Sequence, residues 1–112
     1  MNDQEIDERN AERDERTLEA ACRIVETRGL SALTRDAIAD EANLSAASVS
    51  NFGRTRISNG THAREGYRSR ILRAMMNKAI EKADVRMLRI GLADGCLKPD
   101  ALPMHLRAAA GV

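Results

Sequence analysis

The stretch Leu33-Thr34-Arg35-Asp36-Ala37-Ile38-Ala39-Asp40-Glu41-Ala42-Asn43-Leu44-Ser45-Ala46-Ala47-Ser48-Val49-Ser50-Asn51-Phe52 carries the reading of the fold. Thr34 is a cap for a first helix, because its hydroxyl can take a free backbone N–H of the first turn. Ile38 and Ala42 are four residues apart and share one face, with Ala39 beside them. Ala39 and Ala42 are small enough to let two helices approach closely. Asn43 stands where the chain must turn, and asparagine tolerates the left-handed conformation better than most residues. Leu44 is an apolar plug for that turn, and Ser45 caps a second helix. Two short helices joined by so tight a turn have the pattern of a helix-turn-helix. A plain helical hairpin with one exposed polar helix fits the same residues.

On the second helix, Val49 marks the inward direction. At about 100° per residue, Ala46, Phe52 and Gly53 fall on its side, Ala47 and Asn51 point the opposite way, and Ser48 and Ser50 flank them. The outward face is therefore small and polar, which allows close approach to base edges in a major groove. Asn51 is the best single base reader, since asparagine can pair bidentately with adenine. Ser48 and Ser50 suit bases or phosphates, and Ala46 and Ala47 suit a thymine methyl.

From Thr17 to Gly53 the chain resembles the N-terminal DNA-binding domain of TetR/AcrR-type transcriptional regulators. The resemblance is carried by Thr17-Leu18-Glu19-Ala20-Ala21, Arg28-Gly29-Leu30, Leu33-Thr34 and Ile38-Ala39-Asp40-Glu41-Ala42, and then by Leu44-Ser45-Ala46-Ala47-Ser48-Val49-Ser50-Asn51-Phe52-Gly53. It implies a three-helix domain whose recognition helix starts near Ala46. It also implies phosphate contacts at the start of the helix after Thr34 and just past Phe52. Asn43 stands where the family usually has glycine, Ser50 and Asn51 where it usually has aromatics, and Arg35 at a commonly apolar position. Typical members carry a long C-terminal ligand-binding domain, whereas about sixty residues follow the motif in this chain of 112.

Composition supports an all-α chain. Phe52 and Tyr67 are its only aromatic residues, so the core must come from Leu, Ile, Val, Met and Ala, which suits helices. Pro99 and Pro103 lie late, and alternating β-branched runs are lacking. The net charge of +1 does not announce nucleic acid, but its distribution is uneven. Residues 1–28 carry nine acids and five bases, while residues 51–80 carry seven bases and one acid. A positive block directly after the recognition helix is what phosphate positioning needs. The expected phosphate contacts are Thr34, Arg35, Ser45, Arg54 and Arg56, followed by Arg64, Arg68, Arg70 and Arg73. For Arg64 to Lys78 a solvated helix face is an equal alternative.

Cys22 and Cys96 have no metal-ligand spacing, and Cys22 falls on the Leu18, Ala21 and Val25 face, as a buried reduced thiol would. His62 and His105 are isolated, and no phosphate loop, nucleophile elbow or carboxylate dyad is visible, so neither enzymatic activity nor a metal or cofactor is expected. No signal peptide or membrane-spanning apolar run is seen, which leaves cytoplasmic residence as the default.

Three regions follow. Residues 1–16 are a charged arm, either a frayed tail or a solvent-exposed extension of the first helix; residues 17–53 are the helix-turn-helix region; residues 54–112 supply a basic loop and helices that complete the core and pair two copies. Helices are expected at about 10–28, 35–42 and 46–52. A fourth is capped by Thr61 and runs to about Ala83, a fifth runs from Asp84 to a stop at Gly95, and a last one, capped by Asp100, spans about 101–109. Leu102, Met104 and Leu106 are expected to cover the region around the fifth helix. On that helix Val85, Leu88 and Leu92 share one face, while Met87 and Ile90 point nearly the other way. A helix apolar on two sides needs two neighbours, so Met87, Leu88, Ile90 and Leu92 are expected at a homodimer interface. The expected function is a small homodimeric repressor that binds a palindromic operator in double-stranded DNA, without a small-molecule ligand. An activator of the same fold is one alternative. A helical protein-interaction module, such as an antitoxin or host-factor inhibitor, is another.

Overall fold

Asn2 opens the first helix, its side-chain oxygen accepting the Glu5 N–H at 2.8 Å. The computed structural model describes residues 2–53 and 66–112, and they contain helices and no strand. The chain divides into two compact units, 1–71 and 72–112.

In the first unit, α1 runs Asp3–Arg28 and stops at Gly29, whose N–H still reaches the Val25 carbonyl at 3.0 Å. The charged residues before Thr17 are thus a helical extension, and the helix starts at Asp3 rather than near residue 10. Acids and bases at helical spacing solvate this half, while Thr17, Leu18, Ala20, Ala21, Ile24 and Val25 supply the buried side of the other half. The buried Thr17 hydroxyl is satisfied by the Arg13 carbonyl at 2.9 Å. Cys22, expected to be buried on this face, is only half-buried.

After a single 3-10 turn at Leu30–Ala32 come α2, Arg35–Ala42, and α3, Ala46–Ser50. Both pack against α1 and against each other. Leu33, Ile38, Ala39, Ala42, Val49 and Phe52 are buried, while Leu44, expected as a plug, is half-buried. Glu41 ties α2 to α1 through Arg23 at 3.0 Å and Arg28 at 3.7 Å. These pairs are exposed and add little to stability.

The fourth helix, α4, spans Tyr67–Lys82, and the division between the units falls within it. Gly66 precedes it without helical geometry, and Thr61, the expected cap, lies outside the described residues.

In the second unit, α4 buries Leu72, Met75, Met76 and Ala79 at spacings of three and four. It ends in a Schellman turn: Ala83 adopts φ 53°, its N–H reaches the Ile80 carbonyl, and the Asp84 N–H reaches Ala79 at 2.8 Å. Asp84 then caps α5, Val85–Asp94, by accepting the Met87 N–H, and Gly95 stops it. A 3-10 turn at Pro99–Ala101 leads to α6, Met104–Ala110. Its N-cap position is Pro103, not the expected Asp100, because the chain spends residues 99–101 on the 3-10 turn first. Leu102 and Leu106 are buried as expected, whereas Met104 is 76% exposed. No helix among the described residues is long and apolar enough to cross a membrane.

Candidate nucleic-acid interface

The candidate surface is the corner formed by α2, the Asn43-Leu44-Ser45 turn and α3. Thr34 caps α2, its hydroxyl accepting the Ala37 N–H at 3.2 Å. Asn43 closes the helix in the left-handed region, at φ 55° and ψ 50°. Its N–H goes to the Asp40 carbonyl and that of Leu44 to Ala39 at 2.9 Å, which completes a Schellman turn. Asparagine is the side chain that tolerates this geometry where glycine is absent. Ser45 then starts α3 in extended conformation, accepting the Ser48 N–H at 3.1 Å and donating to the Ser48 hydroxyl, also at 3.1 Å.

The faces of α3 fall as its periodicity predicts. Val49 and Phe52 are buried, Ala47 and Asn51 are exposed, and Ala46, Ser48 and Ser50 are half-buried between them. The helix ends at Ser50, earlier than expected, so Asn51 presents its side chain from the C-cap position rather than from a continuing helical turn. Arg35, at the start of α2, reaches the Ser50 hydroxyl at 3.5 Å. The corner therefore sets Arg35 beside Ser50 and Ser45 beside Ser48 of α3, while the Thr34 side chain stays on the first turn of α2. Arg54, Arg56, Arg64 and His62 lie outside the described residues. Arg68 is exposed and Arg73 half-buried.

Three charged side chains hold the backbone of the corner, and sequence reasoning missed all three roles. Arg16 of α1 donates to the Ala42 carbonyl at 2.8 Å and the Asn43 carbonyl at 3.1 Å, just before α3. Asp14 of α1 accepts the Gly53 N–H at 3.2 Å, just after it; Gly53 meets it at φ 72°, where a side chain would be strained. Arg70, expected at a phosphate, is only 6% exposed, with Nε donating to the Phe52 carbonyl at 2.6 Å and Nη2 to the Ser50 carbonyl at 2.8 Å. The periodicity of α4 gave no signal for this. Arg70 lies about 180° around the helix from Ala79, so it belongs to the outward side by pattern, yet it is buried where it meets the Ser50 and Phe52 carbonyls.

The expected dimerisation residues divide. Met87 and Leu88 are 3% and 0% exposed within a single chain and belong to its core, which corrects their assignment to an interface. Ile90 and Leu92 are half-buried. The described residues contain no cluster of three or more His, Cys, Asp or Glu able to hold a metal. No family model matches the chain, and no curated protein or solved structure matches it.

Proposed function

We propose that the chain is a sequence-specific DNA-binding transcriptional regulator whose α2–turn–α3 corner is a helix-turn-helix, with α3 entering the major groove. The observation that supports this most is the pairing of a rigidly closed turn with an outward face of small and polar side chains. Asn51 and Ala47 are exposed on that face, with Ser48 and Ser50 at its rim. A helix so lightly furnished can approach base edges, and Asn51 offers the donor–acceptor pair that adenine matches. Thr34, Arg35 and Ser45 stand where phosphates flanking the groove would be met, and Arg54 and Arg56 follow in the chain.

In this reading two copies bind a palindromic operator, with half-sites about one helical turn apart, ~34 Å, and repress by occluding a promoter. Pairing of copies rests on Ile90 and Leu92, since Met87 and Leu88 are used inside each chain. Light scattering of Ile90→Glu against the parent tests it: a dimer mass that falls to monomer supports this surface, and an unchanged mass rejects it.

Gel retardation of the full chain on mixed-sequence duplex tests the DNA reading itself. Binding that is present at low salt and falls steeply as salt rises is expected. No retardation at low salt removes the reading and leaves a protein-interaction module as the better description.

A further inference from the structure

A helix of five residues cannot hold its own pose, since isolated helices shorter than ~12–15 residues are marginal in water. Val49 is the only buried side chain within α3. Its orientation must come from groups outside it, and these act on the backbone. At its C-terminal end the Asn51 N–H takes the Ala47 carbonyl and the Phe52 N–H takes Val49, both at 3.1 Å. The Ser50 and Phe52 carbonyls are bound by Arg70 Nη2 and Nε. A planar fork spanning two carbonyls fixes rotation as well as position, which a lysine ammonium does not.

We propose that Arg70 is a specificity-determining positioning residue: its guanidinium sets the angle at which α3 offers Asn51 and Ser48 to base edges. This rests on the DNA-binding reading. Base readout depends on hydrogen-bond geometry at the scale of tenths of an ångström, whereas phosphate attraction acts over a Debye length of about 8–10 Å. Loss of the fork therefore flattens sequence preference and leaves salt-dependent, non-specific binding in place. A phosphate-binding arginine behaves in the opposite way, weakening all sequences and lowering the salt slope.

The test uses the full chain, a library of randomised DNA duplexes, and the variants Arg70→Met, Arg70→Lys and Gly91→Ala. The last perturbs the second unit and controls for a general loss of stability. The parent enriches a defined motif. Arg70→Met retains the bulk library with an unchanged salt slope, but its preference for that motif over the bulk falls about tenfold or more. Arg70→Lys lies between them, and Gly91→Ala keeps the parent motif. Amide hydrogens of Asn51 to Gly53 exchange faster in Arg70→Met, while those of Ile24 and Val25 do not. If Arg70→Met fails to fold, Arg70→Lys decides the matter by the same two readouts. A motif as sharp in the folded Arg70 variants as in the parent overturns the role of Arg70 alone. A parent that retains no duplex at all overturns the DNA-binding reading and the role of Arg70 with it.

Discussion

At the α2–α3 corner, Arg16, Asp14 and Arg70 grip backbone atoms, and only one side chain of α3 is buried. In α5 the balance is reversed. Met87, Leu88 and Gly91 are set in the core, and the long-range bond from exposed Arg89 to the Ala109 carbonyl at 3.1 Å is made by a side chain of α5 itself. Both are short helices that could not persist alone. A helix gripped by its backbone keeps its side chains for the outside, whereas one gripped by its side chains has few left to offer. The contrast accounts for why the corner carries the candidate reading face and why most of α5 does not.

The contrast can be broken most forcefully in the second unit. Leu88→Ala removes a fully buried side chain and should cost about 2–5 kcal/mol in urea unfolding; a cost near zero with a changed oligomeric mass would return Leu88 to an interface. Gly91 is next. A Cβ there would run into the Met76 sulfur and come within 3.2 Å of the Leu97 Cβ, so Gly91→Ala should cost about 1–3 kcal/mol by overpacking. A neutral result would mean that Met76 swings aside freely.

On the corner side, Thr34→Ala removes a cap and should cost about 1 kcal/mol. Hydrogen exchange should place that loss in α2 and α3 and spare α5; uniform protection loss would show that the two regions unfold as one. The smallest effect runs the other way. Ala83 holds a left-handed conformation that costs a non-glycine residue roughly 1–2 kcal/mol, partly offset by the chain entropy of glycine. Ala83→Gly should therefore raise stability by about 0.5 kcal/mol, seen as a small upward shift in Tm.

Features encoded locally were legible in the sequence. The Asn43 turn, the Thr34 and Ser45 caps, the Asp84 start and Gly95 stop of α5 and the inward Val49 each depend on residues within one or two turns. Several misjudged features depend on distant partners. Arg16 and Arg70 meet carbonyls 26 and 20 residues away, and no periodicity encodes such a meeting. The pattern of apolar faces around Met87 and Leu88 cannot say which face the chain covers itself. Asp100 is a good cap by type, but Pro99 favoured a separate 3-10 turn ahead of α6. The charged first residues fit a frayed tail or a helix extension, and they form the extension, with Asn2 capping it.

In the proposed function, α3 reads bases through Asn51. The most direct test of this is the affinity of Asn51→Ala, against the parent, across duplexes carrying every single base-pair change of the selected motif. The expected result is a loss of about 1–3 kcal/mol of discrimination confined to one base-pair position per half-site, with the salt slope unchanged. An equal loss on every duplex, selected or not, would contradict it.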